Sequence, residues 1–140
     1  MRRDFSLVIG SDVAEIPGMN EAFAAHLSAQ GVPVEDILDI QLAVEEAVTN
    51  IIRYGYRDKT GTIRIHCTAQ PDFIEIVIRD EAVQFDPLSV SPPDTTAGAE
   101  DRPVGGLGIM LIRSLMQDIR YAYENGQNVL TLRKMRNTRK

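Results

Sequence analysis

Glu46 and Asn50 are two side chains of this 140-residue chain whose types and spacing could do chemistry together. Four residues apart on a helix, they are neighbours on adjacent turns. A carboxylate there can take a proton from a hydroxyl nucleophile, and a carboxamide beside it can complete the oxygen shell of a hard cation. The same pair also fits an ordinary solvated polar face. Gly105-Gly106-Leu107-Gly108, ahead of an apolar run, is the second candidate. Glycines let backbone N–H groups approach a phosphate, and a helix N-terminus adds favourable partial charge; a tight turn without ligand fits the same residues. It is not a Walker A loop, because no Lys-Ser/Thr follows the last glycine, nor a dinucleotide fingerprint, because no strand leads into it. The third candidate is Asp80, the acid at a strand end in Arg79-Asp80-Glu81-Ala82-Val83-Gln84-Phe85-Asp86-Pro87, where a turn-forming role is the plain alternative. His26 and His66 lack partners at ligand spacing and read as structural or surface residues, and no Ser-His-Asp, Cys-His or zinc pattern is visible.

The elements that must position these groups follow from periodicity. Residues 3–9 alternate and predict a half-buried strand. Residues 15–30 predict a helix with Phe23, Ala24 and Leu27 inward and Gly31 as its stop. Pro33 opens a second helix in its first turn, running to about Tyr54 and ended by Gly55. On it Ile37, Ile40, Val44, Val48 and Ile51 form a core stripe, with Asp39, Glu46, Asn50 and Arg53 on the other face. Leu42 shares that second face, which suggests that it too is covered. Residues 62–69 and 73–79 predict a hairpin, residues 109–116 a helix, and residues 118–123 and 128–134 two strands about Asn125-Gly126. Residues 86–103 show little periodicity and suggest a functional lid. The sum is an α+β, two-layer sandwich, with a mixed, mostly antiparallel sheet and helices packed on one face.

Composition sets the bounds. The length suits a single domain over residues 1–140, with 44% hydrophobic and 25% charged residues. The formal charge is −5, and residues 133–140 hold five cations and no acid, so residues 1–132 carry −10 and residues 135–140 read as a basic tail. That balance argues against a nucleic-acid groove. The single cysteine, Cys67, excludes an internal disulfide and reads as a buried hydrophobe in a reducing cytoplasm. No signal peptide or membrane-spanning run is evident.

Taken in order, Glu45-Glu46-Ala47-Val48-Thr49-Asn50-Ile51-Ile52-Arg53-Tyr54-Gly55-Tyr56, then Arg79-Asp80 through Phe85-Asp86-Pro87, then Arg102-Pro103-Val104-Gly105-Gly106-Leu107-Gly108-Ile109 resemble the bacterial anti-sigma factor serine kinases, members of the histidine-kinase-like ATPase (GHKL) superfamily. The resemblance reaches the late pattern Asn128-Val129-Leu130-Thr131-Leu132. It implies a GHKL-type ATP-binding fold using ATP and Mg2+, with Glu46 polarising the attacking hydroxyl and Asn50 helping to hold the metal. Asp80 would accept a hydrogen bond from the adenine amino group, with Ala82 and Thr131 near the base. Gly105, Gly106, Leu107 and Gly108 would meet the phosphates, and residues 86–103 would be the ATP lid. The implied partners are an anti-anti-sigma factor as phosphorylated substrate, a sigma factor and a second copy of the chain. One departure stands out: the family commonly has glycine where this chain has Ala82. If the site requires positive φ there, alanine costs about 1 kcal/mol or more. That departure motivates an alternative, a partner-switching binding module without kinase activity.

Overall fold

The computed structural model describes residues 4–57, 59–89 and 106–136. Its elements are β1 (Asp4–Gly10), α1 (Ile16–Ala29), α2 (Val34–Asn50), β2 (Thr62–Ala69), β3 (Phe73–Asp80), α3 (Gly106–Leu115), β4 (Asp118–Glu124) and β5 (Gln127–Met135). The strands form one sheet in the order β1-β2-β3-β5-β4. Every ladder in it is antiparallel, so the expected mixed component is absent among the described residues.

Strand alternation sorts the sheet into two faces. Ile63, Ile65 and Cys67 of β2, with Ile74, Ile76 and Ile78 of β3, are buried and meet Met19, Phe23 and Leu27 of α1, Ile40, Val44 and Val48 of α2, and Ile112 of α3. This is the expected sandwich with its helices on one side. Burial pushes the Cys67 thiol up to about 12, in keeping with an inert core residue. His26 stacks its ring against Phe5, at 4.3 Å between centroids.

Helix ends show why the chain turns where it does. Asp12 accepts a hydrogen bond from the Ala14 N–H at 2.9 Å and caps a short 3-10 turn that leads into α1. At the other end Gly31 N–H bonds to Ser28 C=O and Val32 N–H to Leu27 C=O, both at 3.0 Å, which is a Schellman cap. Pro33 sits one residue before α2, with ψ 148, instead of inside its first turn. Gly55 does not stop that helix: α2 passes into a π-helical turn over Ile51–Tyr56, and Arg57, at φ 60, ends it.

The basic tail is partly built into the fold. Lys134 is buried on β5, 3.2 Å from the Asp39 carboxylate, and donates to the Leu115 carbonyl at the end of α3. Arg133 pairs with Glu75 at 2.8 Å, and Arg136 donates to the Gln70 carbonyl. Residues 137–140 lie outside the described residues.

Candidate functional site

At the end of β3, Asp80 faces the helices with 5% of its surface exposed. The register puts it opposite Asn128 of β5, 48 residues away in sequence. Asp80 Oδ1 accepts two hydrogen bonds at 2.9 Å, from Asn128 Nδ2 and from the Ala82 N–H. Asn128 Nδ2 also reaches the Ala82 and Val83 carbonyls at 3.3 and 3.2 Å, and its Oδ1 accepts from the Phe85 N–H and the Tyr121 hydroxyl. One carboxamide therefore staples the segment after β3 onto β5. Both bonds to Asp80 fall on Oδ1, which leaves Oδ2 without a partner among the described residues. Burial raises the Asp80 pKa, while the bonds from Asn128 and the Ala82 N–H pull it back down.

Tyr56, the last residue of the π-helical turn, ties this end of the cleft to β2. Its hydroxyl donates to the Thr62 carbonyl at 2.7 Å and accepts from the Glu81 N–H at 2.9 Å. Its ring lies against Gly61 so closely that a Cβ there would come within 2.2 Å of it. Ala47, Asn50, Ile51 and Gly55 form the helix wall of the same cleft, Ile112 contributes from α3, and Asp80, Tyr121, Asn128 and Leu130 line the sheet wall. A Cβ on Gly55 would stand 2.9 Å from the Ala82 Cβ, so the two backbones leave room for one methyl group only. Ala82 supplies it. Its own φ is not positive, since Arg57 and Asn125 are the non-glycine residues with that property among those described. The strain expected of alanine at this position is therefore absent.

Glu46 and Asn50 lie on one side of α2 as expected, but only Asn50 lines the cleft. Glu46 is half-buried, with no hydrogen-bond or ion-pair partner among the described residues, whereas neighbouring Glu45 is held by Asn20 Nδ2 at 3.0 Å. Leu42, on the same side, is 41% exposed, so this face is open and not covered. Gly106, Leu107 and Gly108 lie in the first turn of α3, so the helix starts three residues before the predicted 109 and takes in most of its glycine-rich entry. Backbone N–H groups in a first turn have no partner within the helix, which is the donor set an anion needs. Gly105 and residues 90–103 of the expected lid lie outside the described residues; Pro87–Ser89 form a short 3-10 turn.

Thr131 is displaced from its expected place. It pairs with Val77 and Arg120 across the ladders, three residues from Asn128, and strand alternation turns it to the sheet face away from the cleft. Asn128 stands beside Asp80 instead. Asn128, Tyr56 and Tyr121 were not singled out from the sequence; each acts through partners distant in the chain, and the one local signal was that Asn128 belongs to the same late pattern as Thr131.

The arrangement offers a buried acceptor at one end, a carboxamide and an unpaired carboxylate on α2, and helix N–H donors on α3. Among the described residues no group of three or more His, Cys, Asp or Glu side chains could hold a metal. A single amide oxygen from Asn50 suits Mg2+ that takes its other ligands from substrate phosphates and water. No described helix is long and apolar enough to cross a membrane.

Residues 9–134 match the family described as histidine kinase-like ATPase domain. A serine-protein kinase RsbW from Bacillus cereus is 36% identical over 104 residues, 71% of this chain and 65% of its own length. The protein of that name from another Bacillus cereus strain is 38% identical over the same shares, and one from Bacillus thuringiensis 36%. The aligned part thus spans just under two thirds of these relatives. Among solved structures, the RsbU and RsbW domains of a Mycobacterium tuberculosis protein superpose with a TM-score of 0.63 at 15% identity, covering 97% of this chain and 34% of that one. At that identity the likeness speaks to the fold.

Proposed function

Since the chain belongs to the family of histidine kinase-like ATPase domains, we propose that it is a Mg-ATP-dependent protein-serine kinase that phosphorylates an anti-anti-sigma partner and, in its other complex, holds a sigma factor. The observation that carries this reading is Asp80, a buried carboxylate fixed through Oδ1 with Oδ2 left to accept an amino group. Oδ2 would accept a hydrogen bond from the adenine amino group. Ala82 and Leu130 flank Asp80 along the cleft wall. Asn50 would hold Mg2+, which when bound offsets phosphate charge. The first-turn N–H groups of α3 would grip the phosphates, with no lysine required. Glu46, half-exposed and unpaired, would take the proton from the partner's serine hydroxyl at its carboxylate.

The relatives are named serine-protein kinases, which supports the same activity here. A cytoplasmic homodimer completes the reading. The binding-module alternative drew on a conformational demand at Ala82 that the backbone does not make. The test is calorimetry of Mg-ATP binding together with phosphate transfer to an anti-anti-sigma protein. Saturable binding and phosphoserine on the partner are expected; the absence of both would sink the kinase reading, and binding without transfer would favour the module.

A further inference from the structure

The open face of the sheet treats its cations unequally. Arg133 pairs with Glu75 at 2.8 Å, Arg120 with Asp118 at 3.1 Å, and His66 lies 3.6 Å from the Asp4 carboxylate while its Nδ1 meets Ser6 Oγ at 2.6 Å. Arg64 and Arg79 have neither an acid nor a hydrogen-bond partner among the described residues, although they stand directly opposite each other across β2 and β3. Like charges so placed are roughly 4.5–5.5 Å apart at Cβ and destabilise a sheet. An acidic chain that neutralises the neighbouring cations on this face leaves these two bare and adjacent. They line a shallow groove with Ser6, Val8, His66 and Val77. Val8 is 56% exposed and belongs to β1, an edge strand with one side unpaired among the described residues.

We propose that this groove binds an extended segment of a protein partner in which acidic and apolar residues alternate, its carboxylates seated on Arg64 and Arg79. Paired arginines match carboxylate geometry. Exposed Val8, half-buried Val77 and the edge of β1 give a peptide apolar and backbone contacts that a small free anion could not use. The groove lies on the face of the sheet opposite the cleft, so the proposal does not depend on the kinase reading.

The test is an NMR titration of the full chain with three probes: a blocked peptide of alternating valine and glutamate, its glutamine counterpart, and inorganic phosphate. The glutamate peptide is expected to shift the amide signals of Val8, Arg64, His66, Val77 and Arg79. Its affinity should fall at least about tenfold in Arg64→Gln and in Arg79→Gln, and stay unchanged in Arg120→Gln, whose charge is already paired. Equal binding of the glutamine peptide would overturn the role of charge. Phosphate producing the same shifts would replace the peptide with a free-anion site, and no shift with any probe would remove the site altogether.

Discussion

On the sheet side of the cleft, Asp80, Asn128 and Tyr121 are joined by hydrogen bonds that leave one carboxylate oxygen free. On the helix side, Glu46 is half-buried and unpartnered, and beside it Leu42 faces solvent. The first region is finished before any ligand arrives; the second takes its order from what binds. A buried polar network holds its geometry because each loss of a partner strands a desolvated group. A half-buried carboxylate without partners loses less when its surroundings change.

That contrast predicts opposite responses to substitution. Glu46→Ala should lower phosphate transfer about 10²–10⁴-fold, the usual worth of a general base, while calorimetry finds Mg-ATP affinity nearly unchanged. Equal losses of rate and affinity would erase the distinction between the two sides. Next in size is Asn128→Ala, which strips Asp80 and Tyr121 of a partner at once and should cost about 1–3 kcal/mol in urea unfolding. Asn50→Ala, at the open side, should stay within about 0.5 kcal/mol, its effect appearing as lost Mg2+ dependence of nucleotide binding.

A loss of the same order as that of Asn128→Ala sharpens the comparison at the single-methyl gap. Gly55→Ala forces two Cβ atoms to 2.9 Å and should destabilise by about 1–3 kcal/mol. Adding Ala82→Gly should return much of that loss, a coupling of roughly 0.5–3 kcal/mol in a double-mutant cycle. Strictly additive losses would mean that the two residues do not share the space. The smallest effect is with pH. Burial raises the Asp80 pKa above its ordinary 3.8, so its contribution to stability is complete below 3.8 and is lost as pH rises through the folded value. Thermal melts of the wild type and Asp80→Asn should therefore diverge over that rise, with the wild type losing ground; parallel curves would place Asp80 in a less desolvated setting.

The sequence disclosed what is local. Alternation in β2 and β3, the apolar stripe of α2 and the turn at Asn125-Gly126 all rest on nearest-neighbour periodicity, and each appears in the fold. Glu46, Asn50 and Asp80 were also legible, because spacing on one helix and position at a strand end are local facts. Asn128 was hidden, since its meaning arises from a ladder that pairs it with a residue 48 positions earlier. Thr131 shows the cost of reading a pattern without its parity: counting alternately from Asn128 puts Leu130 toward the cleft and Thr131 away. Gly55 read as a stop because glycine commonly ends helices, whereas close approach to Ala82 gives it a different reason to lack a side chain.

Tyr56 joins the end of the long helix to β2 and to the segment just after β3 through one oxygen. Losing that one hydroxyl would therefore unfasten three separate stretches of chain from one another at a stroke.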